Sequence, residues 1–437
     1  MPDALHAPVD AVAADRLAEH GLRMEVVGQT DDIALRRWRE AVARGFLDPA
    51  NTDAEHAEVV ADFHERRAIG IFDDGVAEPE SPIATIDAWP VPLSLPGGDV
   101  PAWAISAVTV APTHRRRGIA RAMLGGELRT AAAAGLPLAV ITVSEATIYG
   151  RYGFGPATSV ADLRIDTRRI RWTGPDAPGR LHLVSRDRML ADAPAIFERA
   201  RLRSPGGVGL SGLLLTRLFG RPSDDAAMRA HRFVRYDDEA GVPQGYLSYT
   251  ATEAEDDYSG SRVDVHHLAA ATDDAYAALW RLLLELDLIA EVRAPLRSTD
   301  EPLRWQVDDQ RAIRTTAVND HLWIRVLDPV AALSARRYPG PGRAALDVSD
   351  AEGFAAGRFL LDVDASGAAT VGRDASSAGD VPEVALDAAA LGSLLPGGVR
   401  AATLAAAGRI RERRPGDAAA VDRLLASPTT PWLSVWF

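Results

Sequence analysis

The chain contains no cysteine. That excludes disulfides, thiolate nucleophiles and cysteine-ligated zinc together, and says little about compartment, since a secreted protein need not carry cysteine. No apolar run reaches transmembrane length. The opening, MPDALHAPVDAVAADRLAEHG, lacks the basic start and apolar core of a signal peptide. The expectation is a soluble, cytoplasmic protein without a membrane partner. Basic excess is missing as well. A formal net charge of −13 at pH 7 argues against nucleic-acid binding, and it suits a cationic substrate as well as plain solubility. A metal-ligand cluster is also lacking. His266 and His267 are adjacent and point to opposite sides of a strand, with no carboxylate or further His at ligand spacing, so no metal is expected.

What is present is ordinary in bulk. A length of 437 residues suggests two to four domains, and 47% hydrophobic with 25% charged residues is a globular composition. The informative stretch is 103–158, WAISAVTVAPTHRRRGIARAMLGGELRTAAAAGLPLAVITVSEATIYGRYGFGPAT. Residues 104–110 are β-branched and apolar, a buried strand. Pro112 and Thr113 break it. Residues 120–134 are Ala- and Leu-rich, a helix stopped by Gly135 and Pro137, and 138–143 form a second buried strand. Between strand and helix lies Arg115-Arg116-Arg117-Gly118-Ile119-Ala120. A helix N-terminus offers unpaired N–H groups and the positive end of its dipole to a phosphate. Gly118 and Ala120 let a pyrophosphate approach, and the arginines add charge and forked donors.

The spacing Arg115-x-x-Gly118-x-Ala120 after a strand resembles the acetyl-CoA loop of the Gcn5-related N-acetyltransferases, and IYGRYGFG resembles the segment carrying their tyrosine acid. VTVAPTHRRRGIARAML, SEATIYGRYGFGPAT, ALWRLLLELDLI and an aromatic C-terminus are closer still to the enhanced intracellular survival (Eis) family of aminoglycoside N-acetyltransferases. The likeness runs from about Met24 to Phe437, specific in the first third and looser beyond. It implies an α/β (α+β) architecture of tandem acetyltransferase folds and a sterol carrier protein-like last domain. The corresponding divisions are 24–177, an acetyl-CoA-binding domain; 178–328, a degenerate copy; and 329–437, which would supply the C-terminal carboxylate. A boundary at 173–179 fits its Pro- and Gly-rich TGPDAPGR. In the second copy, Ala271-Thr272-Asp273-Asp274 replaces the arginine loop; those carboxylates are expected to cap the helix and repel a pyrophosphate.

The resemblance also implies the site. Acetyl-CoA, the cosubstrate, would contact Val108, Thr109, Val110, Arg116, Arg117, Gly118, Ile119, Ala120, Arg121, Ser144 and Glu145. Tyr149 would be the proton donor, with Tyr152 its rival. The α-carboxylate of Phe437, made more basic by burial among Trp432 and Trp436, would be the proton acceptor, with Glu145 the alternative. Phe46 and Asp48 would line the substrate pocket, although an Asp before Pro49 also suits a turn. The acceptor would be a small-molecule or lysine-bearing amine, aminoglycosides being the family precedent, and the assembly a homo-oligomer, a hexamer. The contrary class is an apolar-ligand binding protein with a relic acetyltransferase fold; the intact RRRGIA and Tyr149 speak against it.

Overall fold

The structure is a computed structural model describing residues 4–28, 31–220, 229–255, 258–373 and 380–437. It divides into two compact units: Met1–Ala157 with Leu322–Ser427 and Phe437, and Thr158–His321 with Pro428–Trp436. No helix among the described residues is long and apolar enough to cross a membrane.

The first unit opens with α1 (Ala11–Ala18), β1 (Leu22–Val26), α2 (Asp32–Phe46), α3 (Asp53–Asp62), β2 (Arg67–Asp73), β3 (Ala84–Leu95), β4 (Gly98–Val110), α4 (Ile119–Ala133), β5 (Leu138–Thr142), α5 (Ala146–Tyr149) and β6 (Gly155–Pro156). Strands β1 to β4 pair antiparallel in succession. Strand β5 then joins β4 in parallel, which requires a crossover, and α4 supplies it. Asp10 caps α1 by accepting from the Ala13 N–H and takes the Arg129 guanidinium of α4 in an ion pair at 2.6 Å, while Ala13 and Leu17 join the core.

The second unit contains β7 (Ser159–Asp166), β8 (Arg180–Val184), α6 (Arg186–Arg201), α7 (Gly212–Phe219), β9 (His231–Asp237), β10 (Pro243–Thr252), β11 (Ser261–Ala270), α8 (Asp273–Leu284), β12 (Ile289–Arg297) and β13 (Ile313–Asp320). Its seven-stranded sheet runs β13-β7-β12-β11-β10-β9-β8. Here too an antiparallel pair, β10 and β11, leads through a helix to a parallel partner, β12. The units part at residues 157 and 158 rather than near 177, because β7 hydrogen-bonds to β12 and β13 and so belongs to this sheet. The cap of α8 also differs from expectation. The Thr272 side chain accepts from the Ala275 N–H, and Asp273, in the first turn, ion-pairs with Arg203. Beyond Asp264 and Arg293, β11 and β12 no longer pair, and the segment 432–434 bonds to both: the Trp432 indole donates to the Leu296 carbonyl at 2.9 Å, and Ser434 Oγ lies 3.2 Å from His267 Nε2. Beside it lies a cavity of about 520 Å³ whose arginines, Arg201, Arg203 and Arg297, all hold carboxylate partners.

The chain then re-enters the first unit. It forms β14 (Leu322–Val326), α9 (Pro329–Ala335), β15 (Gly342–Ser349), β16 (Gly357–Val363), β17 (Ala369–Arg373), β18 (Glu383–Asp387), α10 (Ala388–Leu394), α11 (Ala401–Ala406), β19 (Ile410–Glu412) and α12 (Asp417–Leu425). Strand β14 completes the first sheet, ordered β1-β2-β3-β4-β5-β14-β6, and the others build a five-stranded sheet, β17-β16-β15-β18-β19. Helix α10 lies against β14 and β6. There a Cβ on Gly155 would stand 1.8 Å from the Ala389 carbonyl oxygen, and one on Gly392 would stand 2.1 Å from that of Ile324. Glycine is required at Gly155 by this close approach.

Candidate active site

The site begins where two strands part. Parallel pairing of β4 and β5 spans Ala102–Ile105 against Leu138–Ile141 and then ends. Just beyond, β4 is bulged: Asp87 faces Ser106 and Thr85 faces Thr109, so Ala107 and Val108 together oppose Ile86. Ala107 sits at φ 52°, a left-handed conformation uncommon outside glycine. A bulge re-aims main-chain groups and bends its strand. Along Val108, Thr109 and Val110, the edge of β4 toward β5 therefore has no strand partner among the described residues. The Thr109 side chain turns the other way, its hydroxyl 2.7 Å from that of Thr85 and packed where Gly45 of α2 has no side chain.

At the end of β4 the chain is clipped back to β2 by His114, whose Nε2 lies 3.0 Å from Asp73 Oδ2. Arg116 at φ 65° and Gly118 at φ 76° then turn it into α4. Gly118 is the N-cap and no side chain caps this helix. The two late helices that also lack a cap residue of their own are served from elsewhere: Asp422 accepts from the Ala401 and Ala402 N–H groups, and Glu412 from those of Gly416 and Ala418. Helix α4 has no such carboxylate among the described residues. Arg115, Arg116, Arg117 and Gly118 are exposed, the three arginines form no ion pair among the described residues, and Arg121 stands 3.6 Å from Glu352. Nothing lies within 4 Å of a Cβ built on Gly118. Ile119 is buried and Ala120 half-buried, so the first turn presents main chain. Orphan N–H groups, dipole and free guanidiniums fit a pyrophosphate.

The far side of the wedge carries the tyrosines. Ser144 and Glu145 are exposed just past β5, and Glu145 precedes α5 without capping it. Tyr149 ends α5 and is buried, its ring edge-on to Phe154 with centroids 6.2 Å apart. Burial, with the Glu145 charge adding to it, pushes the phenol up to about 12. Tyr149 therefore stays protonated across the physiological range and can give a proton but not accept one. Tyr152 is half-buried; burial raises its phenol, while Arg121 and Arg151 pull the other way.

Phe437 belongs by its contacts to the first unit. It is 8% exposed, its ring meets Trp89 edge-on at 5.6 Å and 87°, and its main-chain oxygen accepts a 2.7 Å hydrogen bond from the Thr142 hydroxyl. The expected neighbours were different. Trp432 stacks with Arg297 and Trp436 stands edge-on to His321, both within the second unit, where the His321 Nε2–H also donates to the Val435 carbonyl at 2.8 Å. The aromatic wall at Phe437 is Trp89, on the continuously buried first half of β3. Thr142 is the one hydroxyl in Leu138–Thr142, and that is its signal in the sequence. Phe46 and Asp48 are exposed at the end of α2, around the left-handed Leu47 that caps it.

Comparison with known proteins identifies the domains. Residues 29–157 and 216–326 each match an acetyltransferase (GNAT) domain, and 329–434 match a sterol carrier protein domain. An uncharacterized N-acetyltransferase of Streptomyces avermitilis is 36% identical over 90% of this chain and 94% of its own length. N-acetyltransferase Eis of Mycobacterium tuberculosis is 36% identical over 74% of this chain and 77% of its own. The crystal structure of Eis1 from Mycobacterium abscessus superposes with a TM-score of 0.80 at 30% identity, covering 95% of this chain and all (100%) of that one.

Proposed function

Because the chain belongs to the Eis family of GNAT N-acetyltransferases, we propose that it transfers acetyl groups from acetyl-CoA to amines of polycationic substrates such as aminoglycosides, at one or several positions. A small polyamine or a protein lysine is the alternative acceptor of the same chemistry. A homo-oligomer, with a hexamer as its size, is part of the same proposal.

The observation that carries this reading is the open wedge between β4 and β5. At one end stand α4, without a side-chain cap, and three arginines with no ion pair among the described residues; at the other stand a protonated phenol and the Phe437 oxygen held by Thr142. Acetyl-CoA supplies an activated acetyl group and a thiol leaving group. The α4 N–H groups, Arg116, Arg117 and Arg121 would hold its pyrophosphate, and the free edge at Val108, Thr109 and Val110 its pantetheine, with Ser144 and Glu145 flanking the arm. An N–H of the bulged strand would stabilise the negative charge that develops on the acetyl oxygen.

The acceptor nitrogen must lose a proton and the departing sulfur must gain one. The base of this proposal is the α-carboxylate assigned to Phe437 by the family resemblance, which takes the first proton directly or through water. Tyr149 gives the second. With its phenol at about 12 and a thiol near 8.5, a separate proton transfer would climb about 5 kcal/mol, so donation accompanies C–S cleavage. Phe46 and Asp48 would meet the acceptor. The test is thiol release from acetyl-CoA with kanamycin: saturable turnover in both substrates is expected, and tight acetyl-CoA binding without turnover would overturn the acceptor class.

A further inference from the structure

One buried ion pair of the first unit takes no part in the chemistry above. Arg66, just before β2, and Asp87, on β3, are 7% and 5% exposed, with Arg66 Nη1 3.0 Å from Asp87 Oδ2. Burial works against both charges. It raises the Asp87 carboxyl against the pull of Arg66, and it lowers the Arg66 guanidinium. Asp87 Oδ1 is buried with no hydrogen-bond partner among the described residues. A half-satisfied buried pair is a poor source of stability, and apolar side chains of like volume would serve that end as well.

What the pair does is geometric. Asp87 and Trp89 are two residues apart on β3 and share a face. The pair holds the Arg66 guanidinium over the Trp89 ring, 3.2 Å from its centroid. The Trp89 ring in turn stands edge-on to the Phe437 ring, and Thr142 holds the Phe437 oxygen. From these contacts we infer that Arg66, Asp87 and Trp89 are positioning residues: together they form a seat for Phe437 that fixes its main-chain oxygen beside Thr142. The seat's catalytic value rests on the carboxylate being the base, but its existence does not.

The seat is tested without an acceptor substrate by the rate at which carboxypeptidase A, which removes C-terminal aromatic residues, releases phenylalanine from the folded protein. Slow release is expected from the unaltered chain. Trp89→Leu should speed it about tenfold or more, because cleavage follows the population of the freed terminus, and Trp89→Phe should restore slow release. Asp87→Asn, of the same size, should fall between. Acetyl-CoA affinity should be unchanged in all three, which a general loosening of the fold would not allow. Release from Trp89→Leu at the unaltered rate, or equally fast release from Trp89→Leu and Trp89→Phe, would overturn the proposal. Should Trp89→Leu lose acetyl-CoA binding, unaltered release from Asp87→Asn would overturn it instead. Faster release alongside full turnover by a C-terminally extended chain retires the base and keeps the seat. Unaltered release alongside turnover that collapses on extension does the reverse.

Discussion

The hydroxyl of Thr142 donates a 2.7 Å hydrogen bond to the main-chain oxygen of Phe437, a residue 295 positions further along the chain. Thr142 closes the strand that diverges from β4, so this bond brings Phe437 to the wedge proposed to hold the acetyl group. Thr142→Val keeps the side-chain shape and removes the donor, at a stability cost of about 1 kcal/mol. The expected kinetic outcome is kcat reduced several-fold with KM for acetyl-CoA unchanged. A loss confined to KM would place Thr142 in cosubstrate binding instead.

Gly118 is held at φ 76° with open space where a Cβ would go. A β-branched residue there meets no clash but costs about 1–2 kcal/mol of backbone strain and intrudes on the N–H groups of the first turn. Gly118→Val should weaken acetyl-CoA binding by about tenfold or more, measured by titration calorimetry, with the melting temperature little changed. Replacing the exposed Arg117 by Ala should weaken it less, and less again at high salt, where its charge is screened.

Tyr149 and Tyr152 are separated by their effects on the two stages of turnover. Tyr149→Phe should lower kcat by about a hundredfold or more while leaving acetyl-CoA affinity intact; Tyr152→Phe should change kcat by less than about threefold. The phenol of Tyr149 stands at about 12 and is almost fully protonated at pH 10 and below. Turnover should thus show no basic limb from this group below about pH 10. A limb near pH 8 that vanishes in Tyr149→Phe would show that the phenol titrates far lower.

Gly155 tests the join between the first sheet and the sterol carrier-like segment. A methyl group there would meet the Ala389 carbonyl at 1.8 Å, so β6 and α10 must separate. Gly155→Ala should destabilise the protein by about 3 kcal/mol or more, read as a fall in the denaturant midpoint. Gly150→Ala, with open space around it, is the matched control and should be nearly neutral.

The strand, loop, helix and strand of the first unit were legible because each is local: an apolar β-branched run, a Gly-bearing turn, an Ala/Leu-rich helix. In the second unit the carboxylates at the helix entry were legible, although Thr272 rather than Asp273 caps the helix. What escaped the sequence depends on distant pairing. Strand β7 lies beside β12 and β13, and β14 inserts between β5 and β6, neither of which its own residues announce. The same holds for Phe437: its buried, aromatic character was readable, but Trp89 as its neighbour was not. Nothing local marks Arg66 or Asp87 as buried, since a lone charged residue in a sequence carries no sign of a buried partner.

The most direct measurement is thiol release from acetyl-CoA with kanamycin, on the native chain and on one extended by a few glycines after Phe437. The chain contains no lysine, all 48 of its Lys and Arg residues being arginine, so self-acetylation of side-chain amines adds no background. Turnover by the native chain that collapses on extension, with acetyl-CoA affinity kept, is the predicted result. Equal turnover by both would remove Phe437 from the chemistry and make Glu145 the base to test.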